Sequence, residues 1–212
     1  MADDPRPSRA SAARLSLYLR CLEGWRRDGV ETASSGALAE ALGIGAAQVR
    51  RDLTYLGRVG RPGVGYRVPD LAAAIRSALG IDREWPAVLA GAGNLARALL
   101  RYRGFPERGF RIVGLFDVDP GKVGQRVEGL EVRPMAELRP RVRALRAELG
   151  IVGVPWEAAQ EVGEALAAAG VKGVLNFAPA VLRLPAGIAV VNVDLTIQLE
   201  QLAFQVQAGR DG

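Results

Sequence analysis

Between Ala87 and Val193, short apolar runs alternate with amphipathic ones, and no other feature restricts the possible folds as much. The runs "AVLAG", "RIVGLFD", "GIVGVP", "GVKGVLNF" and "IAVVNV" read as strands, while "NLARALLRY" and "EAAQEVGEALAAAG" read as helices. Near-continuous apolar strands joined by helices predict an α/β fold, a parallel sheet covered by helices on both faces. With 212 residues, 49% of them apolar, the chain can fill the cores of two domains.

The N-terminal third has a different rhythm. Residues 9–28 carry Leu15, Tyr18, Leu19, Leu22 and Trp25 at helical spacing. Thr32, Ser34 and Ser35 offer N-caps for a second helix, "GALAEAL". Gly43 and Gly45 then interrupt the chain before "AAQVRRDLTYL" resumes with Val49, Leu53 and Leu56 at helical spacing. Helix, glycine turn and helix is the helix-turn-helix layout: Ala39 lets the helices approach, Gly43 turns the chain and Val49 plugs the shared core. Many short helical hairpins share this pattern, so it does not by itself mean DNA. "GRVGRPGVGYRV" predicts a hairpin with Val64, Tyr66 and Val68 alternating after the turn. "PDLAAAIRSALG" predicts a helix started by Pro69 and ended by Gly80. The expected organisation is a domain over 1–80, a linker over 81–85, a second domain over 86–193 and a terminal helix over 194–209.

Charge separates the same two parts. Of a net charge of +5, residues 1–80 hold +4 and residues 81–212 only +1. An anionic partner for the first part and a solvated basic surface explain this equally well. No apolar run is long enough to span a bilayer, and the first residues lack the apolar core of a secretory signal, so a cytoplasmic protein without a membrane partner is expected. The single cysteine, Cys21, fits a reducing compartment and reads as a small residue of the first helix.

The stretch "AVLAGAGNLARALL" places Gly91, Gly93 and Ala96 in the G-x-G-x-x-[G/A] pattern, with a strand before and a helix after. Gly91 permits the tight turn, Gly93 lets the backbone approach a pyrophosphate, and Ala96 allows close helix–strand packing. The helix start at Asn94 presents free N–H groups to phosphate. In a chain with 26 glycines the pattern alone is weak. It is strengthened by Asp117, 21 residues after Ala96 at the end of "GLFD", where a carboxylate can accept hydrogen bonds from ribose hydroxyls and repel a 2′-phosphate. The site therefore predicts NAD(H) in preference to NADP(H), while Asp119, before Pro120, fits a turn role.

A dehydrogenase needs a proton donor beside the reacting carbonyl. The chain has no histidine and no Tyr-x-x-x-Lys spacing, and with one cysteine it offers no zinc set. A cofactor site without a catalytic constellation suggests a sensor. The alternatives are an NAD(H)-dependent oxidoreductase with a basic N-terminal module, and a scaffold for coenzyme A or another nucleotide. In "DLTIQLEQLAFQVQ", Leu195, Leu199, Leu202 and Val206 form one helical stripe, with Ile197 and Phe204 on another side. A helix apolar on more than one face needs two covering surfaces. A partner subunit or the chain's own domain could supply them.

From about Ala12 to Gln205 the sequence resembles the Rex family of redox-sensing transcriptional repressors. The resemblance is carried by "AQVRRDLTYLG", "GVGY", "LGIDREW", "GAGNLARAL", "FDVDP", "AGVKGVLNFAP" and "NVDL". It implies an N-terminal winged-helix DNA reader, a C-terminal Rossmann domain and a homodimer that exchanges its C-terminal helices. It also implies that NADH releases an operator inverted repeat, while NAD+ permits or favours repression. By this resemblance the recognition helix presents Gln48, Arg50, Arg51 and Tyr55 to the major groove, and the wing brings Arg58 and Arg61 to a minor groove, where arginine suits the negative potential of narrow A·T stretches. The cofactor would be held by Gly91, Ala92, Gly93, Asn94 and Leu95, by Asp117, Val118 and Lys122, and by Val154, Pro155, Asn176, Phe177 and Ala178, with Leu195 of the partner near the nicotinamide. Arg20, Tyr102 and Asp194 match a network that links the domains across the dimer. Three positions depart from the family pattern: Gly60-Arg61-Pro62-Gly63 lacks an arginine directly before the last glycine, Ala96 replaces a glycine, and Leu56 replaces a phenylalanine.

Overall fold

A computed structural model describes residues 7–57, 59–61 and 64–209. The chain divides into two compact units, one ending at Arg83 and the other starting at Glu84.

The first unit is built on α1 (Arg9–Arg27), whose start is capped by the Ser8 side chain accepting from the Ser11 N–H. Leu15, Tyr18, Leu19 and Leu22 form the fully buried stripe of α1. Each of the three leucines contributes on the order of 1.5–3 kcal/mol by leaving water. Helix α2 (Ser35–Leu42) is capped by Ser34, whose hydroxyl accepts from the Ala37 N–H. Of the other two cap candidates, Thr32 lies in strand β1 (Thr32–Ala33) and Ser35 is the first helical residue. Gly43 ends α2 in the left-handed conformation at φ 63°, which glycine adopts without the usual Cβ penalty. Helix α3 (Ala46–Leu53) follows and tightens into a 3-10 turn over Thr54–Leu56. Ala39, Val49 and Leu53 all enter the core with α1.

The expected hairpin after α3 is shorter than the sequence suggests. Strand β2 is only Tyr66–Arg67, and it pairs antiparallel with β1. Across the loop itself, a single bridge joins Arg61 to Gly65 among the described residues. Val68 does not continue the alternation: it opens helix α4 (Val68–Ala78) and is fully buried, whereas Val64 is exposed. Pro69 causes the change, because its fixed φ suits the first helical turn.

The second unit contains a seven-stranded sheet in the order β5-β6-β4-β3-β7-β8-β9. Its strands are β3 (Trp85–Ala90), β4 (Phe110–Asp117), β5 (Arg126–Val127), β6 (Leu130–Pro134), β7 (Leu149–Val152), β8 (Gly173–Asn176) and β9 (Ala189–Asn192). All pairings are parallel except β5 with β6, a hairpin turned by Glu128 and Gly129, both at positive φ. Helix α5 (Asn94–Arg101) brings Ala96, Leu99 and Leu100 against Leu89, Leu115 and Val132 on one face. Helices α6 (Leu138–Ala144) and α7 (Trp156–Ala169) bring Leu138, Val142, Ala159 and Leu166 against Val88, Phe116 and Val152 on the other. Beyond α5, Ile112, Leu149, Leu175, Ala189 and Val191 line a nearly wholly apolar depression. The last helix, α8 (Leu195–Ala208), buries none of its residues. Leu195 and Phe204 are 71% and 73% exposed, which sets α8 apart from every other long helix.

Candidate dinucleotide and nucleic-acid sites

The glycine-rich turn joins β3 to α5 at the C-terminal ends of the parallel strands, where such sheets bind ligands. Gly91 sits at φ 99°, and a Cβ there would lie 2.3 Å from the Gly153 carbonyl oxygen. Only glycine fits: β3 and β7 are that close because Gly153 donates its N–H to the Ala90 carbonyl. Gly93 differs, since a Cβ there would meet no protein atom within 4 Å. Its bare face borders open space of the kind a pyrophosphate would fill. The N-cap residue of α5, Gly93, has no side chain to cap the helix, so among the described residues its first-turn N–H groups face that space uncapped. Ala96 is only 1% exposed at the helix–sheet contact, so the third position of the pattern packs into the core as alanine.

Asp117 is more enclosed than the sequence implied. Its Oδ2 accepts from the Ala92 N–H at 2.8 Å and from Lys122 Nζ at 3.1 Å, and its Oδ1 accepts from the Asp119 N–H at 2.9 Å. Burial pushes its pKa up, but the Asp119 and Ala92 donors and the Lys122 ammonium outweigh it, and the carboxyl titrates below its ordinary value. Asp117 thus braces the glycine-rich loop as well as ending β4. Asp119 accepts from the Gly121 N–H, the turn role expected of it. Val118 is 79% exposed beside them. Ala92, Gly93, Asn94 and Lys122 line one depression together with Arg97 and Gln125. The last two escaped the sequence reading, although Arg97 lies one turn after the motif and so returns to its face.

At the other end of the cradle, Val154 packs on the core and Pro155 is exposed at the start of α7. Asn176 is fully buried, and its amide is spent on the loop that follows: Nδ2 donates to the Ala178 and Ala180 carbonyls and to Asn192 Oδ1, while Oδ1 accepts from the Ala178 N–H. It therefore shapes the "NFAP" loop that carries Phe177 and Ala178. Leu95 is the second residue of α5, while Leu195 is the first of α8.

In the first unit, Arg50 and Arg51 are exposed on α3, and Tyr55 is half-buried on the 3-10 turn. Arg50 and Arg61 line a depression with Ser34, Ser35 and Thr54, so two guanidinium groups share a concave surface with the start of α2. That chemistry suits phosphate oxygens. Arg58 lies outside the described residues. Gln48 is half-buried and bonded to Asp52, a residue the sequence reading did not single out. Its signal was available: position 52 falls between Val49 and Leu53 on the apolar stripe of α3.

Of the three switch candidates, Arg20 is exposed on α1. Tyr102 ends α5, 55% exposed, with its ring edge-to-face against Phe105 at 5.1 Å. Asp194 caps α8, its Oδ1 accepting from the Thr196 N–H at 2.8 Å. Among the described residues there is no cluster of metal-binding side chains, and no helix long and apolar enough to cross a membrane.

Comparison with known proteins places both units. A family described as a CoA binding domain matches residues 82–180, and one described as a putative DNA-binding protein N-terminus matches residues 8–54. The redox-sensing transcriptional repressor Rex of Carboxydothermus hydrogenoformans is 48% identical over 93% of this chain and 95% of its own. That of Streptomyces coelicolor is 46% identical over 93% of this chain and 77% of its own. The solved structure of RSP in complex with beta-NAD+ and operator DNA superposes with a TM-score of 0.91 at 31% identity, covering 96% of this chain and 94% of that one. RSP in complex with beta-NADH gives 0.87 at 30%, covering 97% of each. These relatives are named as repressors rather than enzymes, and they cover almost the whole chain. With a helix-turn-helix unit, a braced dinucleotide-type loop and relatives of this identity, the chain belongs to the Rex family of redox-sensing transcriptional repressors.

Proposed function

We propose that this chain is a cytoplasmic, homodimeric repressor that holds an operator inverted repeat through α3 and its following loop and releases it when NADH binds. The observation that carries this reading is the cradle of Gly91, Ala92 and Gly93, braced by Asp117, on the same chain as a helix-turn-helix whose exposed face carries Arg50 and Arg51. Gly93 and the uncapped start of α5 would receive the pyrophosphate. Lys122 and Asp117 would border the adenosine ribose, where the carboxylate disfavours a 2′-phosphate. The nicotinamide end would lie toward Val154, Pro155, Phe177 and Ala178. The bound dinucleotide supplies no chemical step: its redox state acts only by favouring one arrangement of the protein over another.

The dimer is supported by two complementary surfaces. Helix α8 exposes Leu195, Ile197, Leu199, Leu202, Phe204 and Val206, and the sheet beyond α5 exposes its apolar depression. Exchange of α8 between two copies covers both at once. The test is a titration of the protein–operator complex with NADH, NAD+ and NADPH. NADH should dissociate the complex at concentrations where the other two do not. Oxidation of NADH with a small carbonyl substrate would support the oxidoreductase alternative instead.

A further inference from the structure

Four donors converge on one buried carboxylate on the recognition helix. Asp52 is fully buried. Its Oδ2 accepts from Arg14 Nε at 2.6 Å and from the Tyr18 hydroxyl at 2.8 Å. Its Oδ1 accepts from the second Arg14 nitrogen at 2.7 Å and from Gln48 Nε2 at 3.1 Å. Both oxygens are filled, so Asp52 has no lone pair left for a nucleic acid. The Arg14 and Tyr18 donors come from α1, so the network also sets how α3 sits on the helix beneath it.

The consequence falls on Gln48. A glutamine amide has two faces, a carbonyl oxygen that accepts and an amino group that donates, and free in solvent it flips between them. Beside an ionised carboxylate the flip is blocked: turning the carbonyl inward would place two acceptors against each other and strand a lone pair. The amino group therefore stays inward, with one hydrogen on Asp52. Outward it presents the Oε1 acceptor and the remaining N–H. Gln48 is the third residue of α3, in the part of a recognition helix that reaches base edges.

We infer that Asp52, held by Arg14 and Tyr18, is a positioning residue that fixes the Gln48 amide to read adenine. The outward pair of Gln48, acceptor beside donor, matches the N6 amino group and N7 of adenine in the major groove. Guanine carries O6 in place of the amino group, so it meets Oε1 with a second acceptor, and the amide cannot turn to accommodate it. Discrimination against guanine at that base pair then belongs to a residue that never touches DNA.

This inference rests on α3 being the base-reading helix, and the experiment separates the two. Full-length protein selects bound sequences from a randomised inverted repeat, as wild type and as Gln48→Ala, Asp52→Asn and Arg50→Ala/Arg51→Ala. Wild type should prefer A·T over G·C by roughly tenfold or more at one symmetric pair of positions, the scale of one bidentate contact. Gln48→Ala should erase that preference alone. Asp52→Asn, whose amide can accept as well as donate, should free the flip and collapse the same preference to about twofold while the other positions stay selective. A merely structural role would lower affinity evenly and leave every preference in place, and that outcome overturns the inference. Should Asp52→Asn fail to fold, Arg14→Met/Asp52→Asn removes both charges together. Wild type can also be offered the site with purine, which lacks the 6-amino group, in place of adenine, and binding equal to the adenine site overturns the inference as well. If Arg50→Ala/Arg51→Ala binds the operator normally, the assignment of α3 fails instead.

Discussion

The Ala92 N–H donates to Asp117 Oδ2 across 2.8 Å, which ties the glycine-rich loop after β3 to the end of β4. One carboxylate thus fixes the loop that would carry the pyrophosphate and the edge that would face the ribose. Asp117→Ala should weaken NADH by about 1–3 kcal/mol, the cost of losing a charged hydrogen-bond partner. It should also narrow the preference for NADH over NADPH, because the repulsive charge is gone. Fluorescence titration with both dinucleotides measures the two effects together. Unchanged discrimination would place the ribose contact elsewhere.

Gly91 gives a sharper test of the same loop. In Gly91→Ala the new methyl group would overlap the Gly153 carbonyl at a φ that costs alanine roughly 1–2 kcal/mol on its own. The variant should lose NADH binding and still bind operator, giving a repressor that NADH no longer releases. Calorimetry with NADH and a mobility shift with operator check the two halves. A variant that binds NADH like wild type would mean that β3 and β7 can part there at little cost.

Arg50→Ala/Arg51→Ala should nearly abolish operator binding and leave NADH binding intact. Each lost phosphate contact should lower the slope of log affinity against log salt by about one, while a lost base contact should relax the sequence preference. Affinities measured at several salt concentrations separate the two kinds of contact. Normal operator binding by the double variant would contradict the assignment of the recognition helix.

Acid stability should report on Asp52. Burial raises its pKa, but the bonds from Arg14, Tyr18 and Gln48 outweigh that and bring it from 3.8 to about 2. A carboxyl depressed in the folded state stabilises the protein above its unfolded pKa, and that stability drains away as pH falls through the folded value. The contribution is on the order of 2 kcal/mol, complete above about pH 5 and lost toward pH 2. Denaturant unfolding across this range should show a shallower acid limb in Asp52→Asn than in wild type. Parallel limbs would show that other carboxylates govern acid unfolding of the first unit.

Asp52 also marks where the sequence stops being legible. The sheet could be read because β3, β4, β7 and β8 are apolar on both faces, and the glycine pattern fell between a strand and a helix. The segment 118–148 gave no such signal. Strand β5, at the sheet edge, has two residues, β6 beside it alternates with charged Glu131 and Arg133, and α6 is seven residues long with Pro140 and three arginines. Tertiary pairing, not local pattern, makes these elements. The site divides the same way. Gly91 and Asp117 announce themselves by spacing, whereas the brace from Ala92 and the full occupation of Asn176 depend on which backbone atoms the fold brings near. Its place on the apolar stripe of α3 marks Asp52 as buried, but its partner Arg14 lies 38 residues away, and the pair shows only once α1 and α3 are packed together.

Asp194 is where the two units should be coupled. In the structure it caps α8, accepting from the Thr196 N–H. Losing that cap alone should cost about 1 kcal/mol of stability. By family resemblance we propose a second role for it, pairing with Arg20 in one ligand state and with Tyr102 in the other. Both are exposed side chains able to take a new partner. NADH can shift such an equilibrium only through its different affinities for the two arrangements. By reciprocity, the factor NADH removes from operator affinity equals the factor operator removes from NADH affinity. Asp194→Ala should therefore reduce this coupling, typically 1–3 kcal/mol in allosteric proteins, by more than it reduces either affinity alone. Asp194→Ser, which keeps a capping oxygen without the charge, should restore helix stability but not the coupling. Operator affinity with and without saturating NADH, measured for all three proteins in folded form, gives the answer. An unchanged ratio in Asp194→Ala would confine this residue to capping α8.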